Sequence, residues 1–375
     1  MGAGIAGCTI AYQLARRGAR VRVFERGVIA GEASGRNMGL LLNQTEPGVV
    51  RLMQRSLEFY ESLSGIGVDF DYRRLPQVMV ATSEADHELA VRRAEELAAT
   101  GLRTQTLDAA MLRSRFPFLS DAVAGGFLVG DAVVLEPAAA THAVAEAARS
   151  AGAVILPGIR VARVALESGR AVGVVSDAGR IAADAVVLAN GPWLGMLWPA
   201  PLLGGRGWLL RSGGLGAPLD AVIEEMSWPD QSELGASASP PTLADVAAGY
   251  DRSVASAFVI CPLPTGDALI GTSLSPSLRD ALEGVGMPQR VAERAVRLAP
   301  GLAALPVVAA WYGIRPMTPD GMPIVGAAGP DGLFVHGGHG SIGMMTAPAT
   351  ADWLAELILS GSSSPELELL RPDRF

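Results

Sequence analysis

Residues 2–25 read GAGIAGCTIAYQLARRGARVRVFE, and the parsing of this stretch decides the fold. Gly2, Gly4 and Gly7 stand at the G-x-G-x-x-G spacing. The first glycine permits a tight turn, the second lets backbone approach a pyrophosphate, and the third lets a following helix pack closely on a sheet. Behind them Ile5, Ala6, Ile10, Ala11, Leu14 and Ala15 recur at helical spacing, and Gly18 ends the helix. RVRVF (20–24) then alternates as a strand, closed by Glu25, about twenty residues past the glycines, where a carboxylate accepts hydrogen bonds from an adenosine ribose. The helix start offers unpaired N–H groups and a positive dipole end to phosphates. In this context the glycines read as a dinucleotide site rather than a chance turn.

Only Met1 precedes Gly2, whereas such a unit opens on a buried central strand of roughly five residues. Without that strand, both neighbours become edges. Several buried side chains, each contributing about 1.5–3 kcal/mol, are lost with it. The expectation is that a few residues lie upstream of Met1; the alternative is that Met1 starts the loop and the fold tolerates the gap.

Composition narrows the class. The chain has 375 residues, 49% of them hydrophobic and 18% charged, which suits a globular enzyme of two domains. A net charge of −8 without blocks of like charge argues against nucleic-acid or anionic-membrane partners. No apolar run is long enough to span a bilayer and no secretory signal opens the chain, so no integral membrane association and a cytoplasmic location are expected. Cys8 and Cys261 are isolated, and neither a disulfide nor a metal site is expected. All 30 basic residues are arginine, which excludes a lysine Schiff base or lysine general base.

Further along come GEASGRNMG (31–39), a small-residue loop, and LEPAAATHAVAEAARSAGAVILPGIRVARV (135–164), which reads as a helix from Pro137 to about Ser150, a strand and a turn. RIAADAVVLANGPW (180–193) is a buried strand running into Asn190 and Gly191. WYGIRPMTPDGMPIVG (311–326) and HGGHGSIGMM (336–345), the latter opening a long helix, precede the C-terminus. In this order the motifs resemble the D-amino-acid oxidase superfamily of FAD-dependent amine oxidoreductases, in the branch of glycine oxidase, sarcosine oxidase and bacterial D-amino-acid dehydrogenase. The resemblance covers nearly the whole chain.

It implies an α/β fold in which a Rossmann-like FAD-binding domain (1–60, 135–200 and 310–375) is interleaved with a substrate domain (61–134 and 201–309) built on a large, mostly antiparallel sheet. Gly2, Gly4, Ile5, Ala6, Gly7, Glu25 and Arg26 then hold the ADP half of FAD. Ser34, Gly35, Arg36 and Asn37 approach the pyrophosphate and flavin, with a structural salt bridge as the other reading of Arg36. Val161 contacts adenine through backbone, and Asn190, Gly191 and Trp193 close the site. Gly338, His339, Gly340, Ser341, Ile342, Gly343 and Met344 turn a helix N-terminus toward the flavin pyrimidine, where it stabilises negative charge by roughly 0.3–1 kcal/mol. His339 either sits beside the ring or is structural.

The resemblance gives Arg315 the substrate carboxylate, which a guanidinium grips in a two-pronged, charge-assisted fork. An internal acid is the alternative partner. Trp311 and Tyr312 wall the site or fill the core, and Asp320 orders a turn or contacts the cofactor chain rather than acting as a base. The implied reaction is hydride transfer from the carbon bearing a neutral amine to flavin N5, giving an imine that water hydrolyses. Gly313 stands where sarcosine oxidases carry their flavin-linking cysteine, so FAD is expected to be non-covalent. Leu269 stands near the place of their oxygen-activating lysine, which leans toward an acceptor other than O2. Phe258 and Val259 lie near the place of a glycine-oxidase tyrosine. A small amine or amino acid is the expected substrate, and either a homo-oligomer or a partner subunit of a heteromeric dehydrogenase remains open. An inactive flavin-binding remnant is the remaining alternative.

Overall fold

The computed structural model describes residues 1–44, 46–65, 68–216, 218–226, 255–276 and 286–375. The loop-like stretch 229–242 lies outside them. Helix α1 (Ile5–Ala15) follows the glycine turn directly, and strand β1 (Arg22–Glu25) follows it. Cys8, Ile10, Ala11 and Leu14 are buried, as a charge-free helix rich in alanine requires. Next come β2 (Leu40–Leu41), α2 (Pro47–Ser64), β3 (Arg73–Ala81), α3 (Glu84–Ala99), β4 (Thr104–Asp108), α4 (Ala109–Arg115) and β5 (Gly125–Val134). Helix α5 (Pro137–Ser150) lies at the expected residues, with Pro137 in its first turn and Glu136 capping the amides of Ala138 and Ala139. Strands β6 (Val154–Pro157), β7 (Val161–Glu167), β8 (Arg170–Ser176), β9 (Gly179–Ala182) and β10 (Val186–Leu188) complete the first half.

The second half holds β11 (Leu203–Ser212), β12 (Val222–Glu225), β13 (Ala255–Pro262), β14 (Ala268–Pro276), α6 (Met287–Leu298), β15 (Val307–Met317), β16 (Ile324–Ala327), β17 (Leu333–Gly337) and α7 (Gly343–Ser360). Parallel pairs β1–β6 and β10–β17 sit beside the packed helices α1, α2, α5 and α7, whose buried alanines and aromatics form one core. Met1 and Gly2 tie these two sheets together. The amide of Gly2 donates to Phe24 O (2.8 Å). The Met1 nitrogen donates to Val187 O (2.7 Å), and the Met1 carbonyl accepts from Ala189 N (2.9 Å). Among the described residues, no strand from elsewhere in the chain takes the position between β1 and β10.

The other body is a sheet in the order β15-β11-β14-β13-β12-β3-β5-β2, with β4 also on β5. Every pairing is antiparallel except β12 with β3, so the expected large, mostly antiparallel sheet is present. Both β2 and β15 hydrogen-bond into it, although they come from stretches assigned to the cofactor domain. One face packs on α4 and α6: Val78, Val80, Leu210, Ile223, Phe258, Ile260 and Ile270 meet Leu112, Val291, Ala295 and Leu298. Period-2 alternation turns the neighbouring residues to the opposite face, and that face lines a large cavity.

Candidate active site

A cavity of about 1000 Å3 runs from the glycine turn, past the start of α7, to the sheet face. At one end the Glu25 carboxylate accepts from Ala3 N (2.8 Å) and Gly27 N (2.7 Å), which fixes it beside the glycine turn. Gly7 has a packing reason for its identity: a Cβ there would lie 1.8 Å from Gly2 O. Ser34 Oγ accepts from Ile5 N (2.9 Å), pinning the 31–39 loop to the start of α1. Asn37 staples that loop, donating to Ala33 O and Ser34 O while accepting from Gly39 N. The Arg26 guanidinium lies 3.9 Å from the Trp193 ring centroid and forms a flat wall with it.

The α7 end is built differently. No side chain caps this helix and no acid lies in its first turn, so its positive dipole end is not neutralised from within the helix. His339 Nδ1 lies 2.9 Å from Thr346 Oγ1, whose hydroxyl donates to Ile342 O. The histidine therefore donates from Nδ1, and its Nε2 is a bare acceptor. That Nε2 is buried without a hydrogen-bond partner, as is Asn190 Oδ1, and both residues line the cavity. Burial drives the His339 pKa well below its usual value, with neighbouring His336 adding to the effect. His336 is pushed down to about 4 by burial while its Nδ1 donates to Ala6 O (2.9 Å). Two orphaned polar atoms, a helix start and a ribose-type carboxylate in one cavity fit a dinucleotide cofactor with a polar ring edge.

At the sheet end stands Arg315 on β15. Its side chain crosses β11 over Gly207 and reaches β14, where Nη1 donates to Ser273 O and Nη2 to Thr272 Oγ1, each at 3.1 Å. No carboxylate among the described residues pairs with it. Burial lowers its pKa to about 10, which leaves it a cation at neutral pH. Two of the five guanidinium N–H donors are taken, so a fork remains for a ligand.

Residues 1–357 match the family described as FAD dependent oxidoreductase. The chain belongs to this family. It is 27% identical to the glycine oxidase of Bacillus licheniformis, covering 100% of this chain and 96% of that protein. It is also 27% identical to the D-amino acid dehydrogenase of Cereibacter sphaeroides, covering 98% and 92%. Its structure is similar to the crystal structure of glycine oxidase from Geobacillus kaustophilus, with a TM-score of 0.84 at 25% identity, covering 100% of this chain and 97% of that one. The protein is thus an FAD-dependent oxidoreductase with the fold of that family.

Most of the residues expected at the site come together. Gly2, Gly4, Ile5, Ala6, Glu25, Arg26, Ser34, Arg36, Asn37, Val161, Asn190, Gly191 and Trp193 line the cavity, with Gly313, Arg315, His339, Gly340, Ser341, Ile342, Gly343 and Met344. Gly7, Gly35 and Gly338 are not in its wall and serve packing: a Cβ on Gly35 would meet Ala30 O at 2.2 Å, and one on Gly338 would meet Thr318 at 2.8 Å. Tyr312 is not brought to the cavity either. It pairs in register with Trp208, and the two rings pack 5.1 Å apart. It lies one residue from Gly313, and strand alternation turns it to the far face. Trp311 donates from Nε1 to Arg36 O (3.2 Å) and packs with Met38 and Leu269 behind the wall. Val259 lines the cavity whereas Phe258 faces α6. Asp320 orders its turn by accepting from Met322 N and anchors Arg374.

Sequence reading missed Gly207, Thr272 and Ser273, which carry Arg315, and also Gln77 and Glu224. These five lie on four strands far apart in the chain, and no local motif marks any of them.

Proposed function

We propose that this protein oxidises the C–N bond of a small amino or imino acid, with Arg315 receiving the substrate carboxylate. The carrying observation is a guanidinium set into the cavity wall, braced by Ser273 and Thr272, with donors left over and no acid paired with it among the described residues. Bound FAD supplies the hydride acceptor. Gly313, packed on the backbone of Arg36, offers no nucleophile for a covalent link, which supports non-covalent binding. The glycine turn, Glu25, the 31–39 loop and the start of α7 hold the cofactor, and Arg315 fixes which substrate C–H bond faces it. Such orientation supplies a large part of the barrier reduction, so the protein needs no dedicated base for an amine arriving unprotonated. The glycine oxidase and D-amino acid dehydrogenase relatives support the same class. The division into an FAD domain (1–60, 135–200, 310–375) and a substrate domain (61–134, 201–309) belongs to this reading. Among the described residues, no helix is long and apolar enough to cross a membrane.

The test is anaerobic addition of glycine, D-alanine, D-proline, D-hydroxyproline and sarcosine to the flavin-loaded protein, following flavin absorbance. Bleaching by one or more establishes amine oxidation, and admitting air then separates O2 from another electron acceptor. A loaded protein that none of these, nor any larger amino acid, bleaches overturns the reading.

A further inference from the structure

Beyond Arg315, the cavity continues along the sheet to an acid. Glu224 on β12 lines it with Gln77 and Met79 of β3, Phe127 and Val129 of β5, and Val259 of β13. The register places these on one face. Glu224 is opposite Val259, Val259 opposite Gly271, Gly271 opposite Leu209 and Leu209 opposite Trp311. Directly opposed residues share a face. Gly207 and Gly313, two residues along, continue the same face, and over Gly207 the Arg315 side chain runs to β14. Its anchor Thr272 is next to Gly271, in the same transverse row as Glu224. The guanidinium over β14 and the acid on β12 are therefore two strands apart, roughly 9–10 Å between strand axes.

The acid is aimed and only partly satisfied. Asn43 donates both its backbone N–H and its side-chain N–H to Gln77 Oε1, each at 2.9 Å. That turns the Gln77 amide nitrogen toward Glu224 Oε1, to which it donates. The second oxygen of Glu224 accepts no hydrogen bond among the described residues. Arg93 of α3 lines the same end and acts on the acid electrostatically, without an ion-pair contact. The wall around the acid mixes apolar Met79, Leu97, Phe127 and Val129 with Gln77 and Arg93, and burial raises its pKa to about 7 against the opposing pull of Gln77 and Arg93. A buried carboxylate with one oxygen left without a hydrogen bond is costly, and a ligand cation would complete it.

We propose that Glu224 reads a cationic side chain, so that the preferred substrate is an amino acid ending in an amine or guanidinium, held by its carboxylate on Arg315 and by its distal cation on Glu224. The span between the two anchors suits a side chain about three or four methylenes long. Gln77 is a positioning residue that presents the Glu224 carboxylate. The inference rests on the amino-acid reading above and names the substrate class of the same site.

The test compares, on the FAD-loaded protein, lysine, ornithine and arginine with norleucine and norvaline of the same configuration, in both enantiomers, reading the anaerobic rate of flavin bleaching. The expected result is a kcat/KM at least tenfold higher for a cationic substrate than for its apolar counterpart. In Glu224→Gln that ratio is expected to fall at least tenfold, and in Gln77→Leu it is expected to fall less. The wild-type ratio needs no variant and so survives a variant that fails to fold. Bleaching by norleucine at a rate equal to or above that of lysine overturns the assignment of Glu224 and leaves the amino-acid reading standing. Equal losses for both substrate types in Glu224→Gln likewise overturn it. Bleaching by no amino acid overturns both.

Discussion

Arg315 reaches across β11 only because residue 207 has no side chain: a Cβ built on Gly207 would lie 2.2 Å from Arg315 Nη1 and 2.7 Å from its Cζ. The glycine on β11 is the channel through which a β15 side chain crosses to β14. Gly207→Ala is expected to leave the fold and FAD content intact while displacing the guanidinium. Misplacing a substrate-orienting group by about 1 Å costs on the order of 100-fold in rate. Steady-state kcat/KM should therefore fall by roughly 10- to 100-fold, with flavin absorbance per protein unchanged. A variant with wild-type kinetics would show that Arg315 does not orient the substrate.

Glu25 fastens the glycine turn through Ala3 N and Gly27 N. In Glu25→Gln one carboxylate oxygen becomes an N–H that faces another N–H. Losing a charge-assisted hydrogen bond costs about 1.5–3 kcal/mol. The Kd for FAD, titrated into apoprotein by fluorescence, should rise at least tenfold.

Glu225 neighbours Glu224 in sequence but faces the other way. Its side chain is fully buried, accepts from Phe258 N and pairs with Arg294 of α6. Breaking a buried ion pair by removing one partner is strongly destabilising, at roughly 3–5 kcal/mol. Arg294→Leu should lower stability by about that amount in urea unfolding. Adding Glu225→Gln should restore most of the loss.

His336 sets an acid limit. Burial holds its folded pKa at about 4, below the usual 6.5, so the unfolded chain binds a proton first as pH falls. Its contribution is fully present above pH 6.5 and is lost between there and pH 4. Wild type and His336→Gln should converge in stability over that window, by up to roughly 3 kcal/mol. Parallel pH profiles would show that His336 is not neutral in the folded protein.

Where candidate site residues were contiguous, their meeting at one cavity was legible. The glycine turn, Glu25, the 31–39 loop and the 336–345 stretch all meet at one cavity, because a loop entering a helix delivers its own backbone groups to whatever lies at that helix end. Arg315 was legible through its motif, but its route over Gly207 was not. Tyr312, next to Gly313 in sequence, went to the opposite face because a strand reverses direction at every residue.

The sequence by itself pointed to a dinucleotide cofactor, since helical period, glycine spacing and the closing acid are local patterns, and its motifs in order carried the resemblance to the family that the whole-chain match bears out. Tertiary structure alone decided the sheet end of the cavity. Strand order and register set which side chains share a face, and these depend on pairing between segments more than a hundred residues apart, as when Gln77 meets Glu224. A one-residue slip of β12 would turn the Glu224 side chain to the α6 face and take Glu225 away from Arg294.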